Sequence, residues 1–388
     1  MAALLYNFPT KIYFGENIAA ETGQYTAHLG NKALLVTSGR DFHTSGLIEK
    51  ICSSLKKSNI NILVFDEVSA ASNSDTVDIA ASLAKSVRCD FIIGLGGCKV
   101  QNIARAISVI CTNEGESSDF LSEQDGYRLN IATTPLPVVS IPTSYGTLSE
   151  TGFGFVIQDK HDDMRKKMYS EKVCPAVSIV DPALCLTLPK KILSSSGLMV
   201  LAYCIELYTS RYSNPVSDAC ALRAMELISS TLGKIIEEPD NLKLRTTLSM
   251  ASLLCALAAA CGKLGTLYVL SHAVASVDTI YRGTLISAML PNIMEYNLTV
   301  SSGKYVQLAR IFGEDVKDIT VLEAAIKAVE KVRMYVANFN IPAKLSDLGF
   351  RNTYFDRLYA VFSRFEENNY VPREITKDEL KIIIEQAY

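Results

Sequence analysis

Four short apolar runs rich in β-branched residues recur through the first half of the chain, each separated from the next by enough residues for a helix: Ala33–Thr37, Ile60–Phe65, Phe91–Leu95 and Pro137–Ile141. Strands connected in this way pair in parallel, because each connection must cross back over the sheet, and right-handed crossovers then cover its faces with helices. The alternation predicts an α/β half built on a doubly wound parallel sheet.

After Ile179-Val180-Asp181-Pro182 the period changes. Leu, Ala and Met recur three and four residues apart with no further strand pattern, as in helices packed on one another. Pro182 and Pro189 punctuate the change and place a boundary near residue 185. The expected organisation is an α/β domain over 1–184 and an all-helical domain over 185–388. The closing stretch, Arg373 to Tyr388, reads as a capped helix, since Thr376 precedes Asp378 and Glu379, whose charges suit a helix N-terminus.

Composition then removes several classes of function. With 388 residues, 48% of them hydrophobic, the chain can bury a large core. A formal net charge of −3 leaves no basic excess to hold a phosphate backbone, so nucleic acid is not an expected partner. Met1 to Asn7 has neither the basic start nor the apolar run of a signal peptide, and a cytoplasmic location is expected. The most apolar stretch, Ser249 to Ala260, stops at Cys261-Gly262-Lys263, short of the roughly 20 residues that span a bilayer. It reads as a buried bundle helix, with no membrane partner. Ten cysteines are scattered singly without a C-x-x-C pair, as expected of reduced thiols, and histidines occur only at 28, 43, 161 and 272.

Two stretches carry the chemistry of a nucleotide site. Directly after the third run comes Gly94-Leu95-Gly96-Gly97-Cys98-Lys99, followed by Val100 to Arg105 in helical spacing. Glycines there let backbone amides approach a pyrophosphate, and the following helix points its positive end at the anion. Without a ligand, the same pattern is a tight strand-to-helix turn. The second stretch is Ile141-Pro142-Thr143-Ser144-Tyr145-Gly146-Thr147-Leu148-Ser149-Glu150-Thr151. Hydroxyls around a glycine at a strand end can donate to phosphate, ribose or a nicotinamide amide, although taken alone the stretch reads equally as a capped loop.

In order along the chain, these motifs resemble those of the iron-containing, or group III, alcohol dehydrogenase family. Phe8-Pro9-Thr10-Lys11-Ile12-Tyr13-Phe14-Gly15 is like its F-P-x-x-I-x-F-G opening, and Phe65-Asp66-Glu67-Val68 with Asn73 is like its segment ending in P-N-P-T. Gly94 to Arg105 resembles G-x-G-G-G-x-x-x-D-x-A-K, and Ile141 to Glu150 resembles I-P-T-T-x-G-T-G-S-E. Asp181-Pro182, Leu186-Thr187-Leu188-Pro189 and Leu290 to Asn297 are similar to further landmarks. The resemblance spans essentially the whole chain. It implies a Rossmann-like dinucleotide-binding domain and a helical substrate domain (the dehydroquinate synthase-like fold), a homodimer, and NAD(P)-dependent interconversion of a small carbonyl compound and its alcohol. The cofactor residues it implies are Ser38, Arg40, Asn73, Gly96, Gly97, Cys98, Lys99, Thr143, Ser144 and Thr147, with Lys166 from a basic stretch. For Lys166 the surrounding Asp162, Asp163 and Arg165 offer a second reading, a solvated hairpin tip.

The departures matter as much. The third glycine of the turn is Cys98, the usual acid is Asn102 and the usual lysine is Arg105. Where the family holds a divalent metal with a G-M-D-A-x-x-H-x-x-E helix and two later histidines, this chain has Gly197 to Glu206, with Met199 and Tyr203 at the ligand positions, then Tyr268 and Arg282. A four-residue shift puts His272 on the first of the later positions, which still leaves one histidine. Arginine stays charged and repels a cation, and a neutral phenol is a poor ligand. No bound metal is expected. Arg282 can instead supply positive charge to a developing alkoxide or pair with a substrate carboxylate, and Tyr203, Tyr268 and His272 can return a proton. Each also has a structural reading, as core aromatics and a core histidine, with Asp278 available to compensate Arg282.

The end of the first run speaks to cofactor choice. Thr37-Ser38-Gly39-Arg40 lacks the acid that binds a ribose 2′-hydroxyl, and Arg40 can neutralise a 2′-phosphate, which favours NADP over NAD; Asp41, one residue on, argues the other way. An alternative to catalysis is an inactive, nucleotide-binding or regulatory member of the family.

Overall fold

The computed structural model describes residues 6–38, 46–121, 129–278 and 280–388. Contacts divide the chain into two compact units, Met1–Thr187 and Leu188–Tyr388.

The first unit carries strands β1 (Lys11–Phe14), β2 (Lys32–Thr37), β3 (Asn61–Phe65), β4 (Phe91–Gly96), β5 (Val138–Pro142), β6 (Gly154–Gln158), β7 (Arg165–Tyr169) and β8 (Val177–Val180). Six of them form a sheet in the order β1-β8-β5-β4-β2-β3, and every neighbouring pair is parallel. The helices of this unit are α1 (Thr22–Thr26), α2 (Leu47–Lys57), α3 (Ser74–Val87) and α4 (Cys98–Thr112). Because side chains alternate along a strand, successive residues feed two separate cores. Leu34, Val36 and Ile92 pack with α3 and α4, while Ala33, Leu35, Phe91, Ile93 and Leu95 pack with α2. A strand buried on both faces has no polar alternation, and this is why these runs read as continuously apolar.

β1, β8 and the β6–β7 hairpin add to the four strands foreseen. The hairpin pairs Ile157 with Lys166, and Lys166 is buried there by an ion pair to Asp159 at 2.6 Å and another to Asp162 at 3.1 Å. The solvated-tip reading of Lys166 therefore fails.

Strand order also marks a switch point in the sheet. The chain steps from β2 outward to β3, then returns to place β4 on the other side of β2. Crossovers diverge at that point, and in open α/β sheets ligands bind beyond the carboxyl ends of the strands at such a point, here β2 and β4. Those ends are Thr37-Ser38 and Gly96-Gly97.

The second unit is all helical: α5 (Lys190–Thr209), α6 (Pro215–Glu237), α7 (Leu242–Cys261), α8 (Thr266–Ala275), α9 (Arg282–Tyr296), α10 (Leu298–Ile311), α11 (Val321–Asn338), α12 (Phe355–Phe362) and α13 (Lys377–Gln386). Thr376 caps α13 through the Glu379 amide while Glu379 reaches back to the Thr376 amide, the reciprocal arrangement its sequence suggests. The apolar stretch around Ser249 is longer than the sequence reading had it. α7 has 20 residues, so it and α5 are both long and apolar enough to cross a membrane by length and composition. In α5, 89% of the apolar window is buried inside the protein, as befits the central helix of a bundle.

Candidate active site

In the first unit the glycine turn is built by steric need. Gly96 has φ +155°, and a Cβ there would meet Val100 at 2.7 Å. Gly97 ends the turn as the N-cap of α4 and has no side chain to cap the helix, whose positive end points out of the turn. A Cβ on Gly97 would come within 3.3 Å of the Ser144 hydroxyl, and the Thr143 amide donates to the Gly96 carbonyl at 3.2 Å. The glycine turn and the hydroxyl loop, 47 residues apart in sequence as Gly97 and Ser144 stand, thus meet at one point. A helix N-terminus beside a hydroxyl, reached by a turn whose Gly96 cannot carry a Cβ, fits a pyrophosphate.

The other expected cofactor residues fall out unevenly. Cys98 begins α4, and its sulfur accepts from Asn102 at 3.7 Å. Lys99 donates to the Ala70 carbonyl, which ties the turn to the segment before α3. Burial and the nearby Arg165 cation lower the Lys99 ammonium to about 8. Asn73 is the N-cap of α3, and its side-chain oxygen accepts from the Asp75 amide at 3.0 Å. Thr147 is buried, with its hydroxyl 2.7 Å from Ser149 and donating to Glu150 at 3.0 Å. Ser38 lies exposed just past β2, and Arg40 and Asp41 lie outside the described residues. Asn73, Thr147 and Lys166 are therefore committed to the protein's own cap, loop and hairpin.

Two buried polar residues hold this region: Gln101, which the sequence reading gave no role, and Arg105, which it placed at the family's lysine position without assigning it a role. Gln101, fully buried on α4, donates to the carbonyls of Gly94 and Gly96 at 2.7 and 3.2 Å and accepts from Ser140 at 3.0 Å. Arg105, four residues further along the same helix and 2% exposed, donates to the carbonyls of Ser149 and Gly154. One helix therefore holds both the glycine turn and the hydroxyl loop. Their signal was polar side chains at i, i+4 on the inward face of an apolar helix.

In the second unit the structure brings Tyr203, Tyr268, His272 and Arg282 together, from three helices. Arg282 is the first residue of α9; its Nη2 donates to the Tyr203 hydroxyl at 2.9 Å and its Nε to the Ser271 hydroxyl at 3.1 Å. The guanidinium carbon lies 5.8 Å from the centre of the Tyr268 ring, which packs edge-on to Tyr203 at 6.1 Å. His272, buried, sits between Tyr268 at 4.7 Å and a stacked Phe365 at 5.7 Å. Met199 lies buried one turn before Tyr203 on α5. A guanidinium in contact with one of the phenols leaves a cation where a divalent ion would have to stand, so these residues do not fit a divalent metal. Among the described residues, no three His, Cys, Asp or Glu side chains gather as a metal site elsewhere. What the arrangement does provide is positive potential, from a guanidinium placed at a helix N-terminus, beside a phenol.

Glu206, which closes the stretch resembling G-M-D-A-x-x-H-x-x-E, was given no role by the sequence reading. It is the one acid of α5, and its buried carboxyl accepts from the amides of Leu267 at 2.6 Å and of Gly265 and Tyr268 at 3.3 Å each. Burial raises its pKa to about 7, and the three amides act in the opposite direction.

Comparison with known proteins agrees with this geometry. Residues 9–182 match the family model described as iron-containing alcohol dehydrogenase, and residues 193–388 match that of the Fe-containing alcohol dehydrogenase family, C-terminal. The chain is 28% identical to a 1,3-propanediol dehydrogenase of Citrobacter freundii, over 99% of this chain and 98% of that one. It is 27% identical to an NAD-dependent methanol dehydrogenase of Bacillus methanolicus, over 88% of each. A solved structure of 1,3-propanediol oxidoreductase superposes with a TM-score of 0.93 at 27% identity, covering 100% of both chains. With its doubly wound sheet, glycine turn and helical second unit, the chain belongs to the iron-containing alcohol dehydrogenase family.

Proposed function

We propose that this protein is a nicotinamide-dependent oxidoreductase that interconverts a small alcohol and its aldehyde or ketone, with Arg282 in place of a divalent metal as the group that stabilises the substrate oxygen. The observation that carries the reading is the Arg282–Tyr203 contact at 2.9 Å, a permanent cation beside a phenol at the start of α9. When bound, a nicotinamide cofactor supplies or accepts the hydride.

The protein's own residues then account for charge and proton. As the carbonyl is reduced, its oxygen becomes an alkoxide, and the guanidinium together with the positive end of α9 lowers the energy of that charge. The Tyr203 hydroxyl, polarised by the same guanidinium, gives its proton to the alkoxide and recovers it in the reverse direction. The positive N-terminus of α4 and the Ser144 hydroxyl hold the cofactor's phosphates, with Lys99 adding charge. NADP is favoured over NAD by Thr37-Ser38-Gly39-Arg40. A homodimer in a reducing compartment, where ten free thiols persist, completes the proposal.

The names of the relatives support alcohol and aldehyde substrates, since the 1,3-propanediol and methanol dehydrogenases are named for small alcohols. A second reading has one observation in its favour: Arg282 already spends its Nε and Nη2 donors on Ser271 and Tyr203, as a structural arginine would. The test is fluorescence titration with NADPH and NADH, followed by turnover of small aldehydes in the presence of a chelator. Turnover that persists supports the arginine-based reading. Saturable binding without turnover supports the inactive, nucleotide-binding reading instead.

A further inference from the structure

We propose that Glu206 is a positioning residue for the Tyr203–Tyr268–Arg282 cluster, fixing α8 against α5 so that Tyr268 and His272 stand beside Tyr203. α8 is only 10 residues long, and its N-cap is Gly265, which has no side chain to satisfy the first amides. Those amides point instead at a carboxyl from another helix. Glu206 takes all three of Gly265, Leu267 and Tyr268. A short helix capped by itself is free to slide or rotate on its neighbours. Capped from α5, it is held by three hydrogen bonds that share one acceptor group and break together if α8 moves.

The spacing on α5 makes the link specific. Tyr203 and Glu206 are three residues apart and so lie on one face of the helix. One turn of α5 therefore carries both the phenol that meets Arg282 and the carboxyl that places the ring of Tyr268. Among the described residues no lysine or arginine lines the space beside Glu206, which is bounded by Asn297, Tyr305 and Tyr370 among others. The Tyr305 hydroxyl is turned to the Met294 carbonyl at 3.2 Å. The carboxyl accepts instead from the amides of Gly265, Leu267 and Tyr268 at the start of α8.

This inference rests on the reading that α8 residues take part in the chemistry, and its test separates the two. With four histidines in the chain, the ring signals of His272 in an NMR spectrum are readily assigned, and those of His28 and His161 in the first unit serve as controls. In Glu206→Ala the His272 signals are expected to move while His28 and His161 stay in place. The Gly265, Leu267 and Tyr268 amides are expected to lose protection from hydrogen exchange, and kcat is expected to fall at least tenfold (on the order of one lost cap and its register) with cofactor affinity kept. Glu206→Gln, which retains an oxygen acceptor, is expected to restore most of each. A folded Glu206→Ala protein with unmoved His272 signals and protected amides overturns the proposal. If that variant does not fold, the native protein decides: slow exchange of the Leu267 amide supports the cap, and exchange at the open-loop rate overturns it. Moved His272 signals with unchanged kcat leave Glu206 as the positioning residue of α8 and overturn the assignment of α8 to the chemistry.

Discussion

Arg282 and Tyr203, 79 residues apart in sequence, meet as donor and acceptor at 2.9 Å inside the helical unit. A charged donor held on a neutral phenol oxygen keeps that phenol's own proton directed away from the arginine, toward whatever occupies the adjoining space. Removing the charge with Arg282→Ala is expected to lower turnover by about 100-fold or more while leaving cofactor affinity within about twofold, the size of effect seen when one donor to a developing oxyanion is lost. Arg282→Lys, which cannot donate in the same fork, is expected to recover only part of it. Steady-state kinetics beside a cofactor titration checks this, and unchanged turnover in Arg282→Ala would rule out the arginine as electrophile.

Cofactor binding is expected to weaken at alkaline pH through Lys99. Its ammonium titrates near 8 because burial and the Arg165 charge both disfavour the proton. An anion binds the protonated form, so above about pH 8 binding must take up a proton, and affinity falls by up to about tenfold per pH unit. Below that pH the lysine is already charged and the dependence flattens. Lys99→Met should bind more weakly near neutral pH and lose the slope. Equal slopes in the two proteins between about pH 7 and pH 9 would assign the dependence elsewhere.

At the glycine turn, two adjacent substitutions should separate folding from binding. Gly96→Ala forces a side chain into a left-handed backbone and against Val100, so a loss of stability of roughly 1–3 kcal/mol is expected, read as a lowered Tm. Gly97→Val leaves an ordinary backbone but fills the space beside Ser144. It is expected to keep the Tm and lose cofactor binding. The reverse pattern would mean that the turn does not face the ligand.

Much of the first unit was legible because a strand buried on both faces must be apolar along its length, and the runs at 33–37 and 91–95 obey this. β1 and β8 escaped notice for a physical reason: each is four residues long, β1 starts on Lys11, and β8 carries the fully buried Ser178. At the β6–β7 hairpin the strand itself was hidden by Arg165-Lys166-Lys167, which read as a solvated tip until Asp159 is brought against Lys166 by the pairing. The glycine turn could be read locally because all of its parts are contiguous. The Tyr203, Tyr268 and Arg282 cluster was named residue by residue, but its hydrogen bonds depend on how three helices pack, which no local period encodes. Glu206 had a signal, one acid in an otherwise apolar stretch of α5, and its partners were 59 to 62 residues away.

The lost metal site should be recoverable. Met199→Asp, Tyr203→His, Tyr268→His and Arg282→His together remove the guanidinium and put one carboxylate and three imidazoles at the positions the family resemblance assigns to ligands. The folded quadruple variant is expected to bind one divalent ion per chain by elemental analysis, and the native protein after the same metal loading and desalting is expected to retain far less. A folded variant that takes up no metal would count against the assignment of those four positions.

The burial of α5 bears on how the chain is made. It is the first helix of the second unit and is covered by α6, α7, α8 and α9, all of which follow it in sequence. A chain synthesised from its N-terminus therefore produces this helix before any of its covers, at a time when the sheet unit ahead of it can already fold. For as long as the next hundred or so residues take to appear, roughly 5–20 s at typical elongation rates, α5 is an apolar segment with nothing to pack on. Nascent chains paused just after residue 209 should accordingly be held by chaperones, and release should follow the emergence of α9.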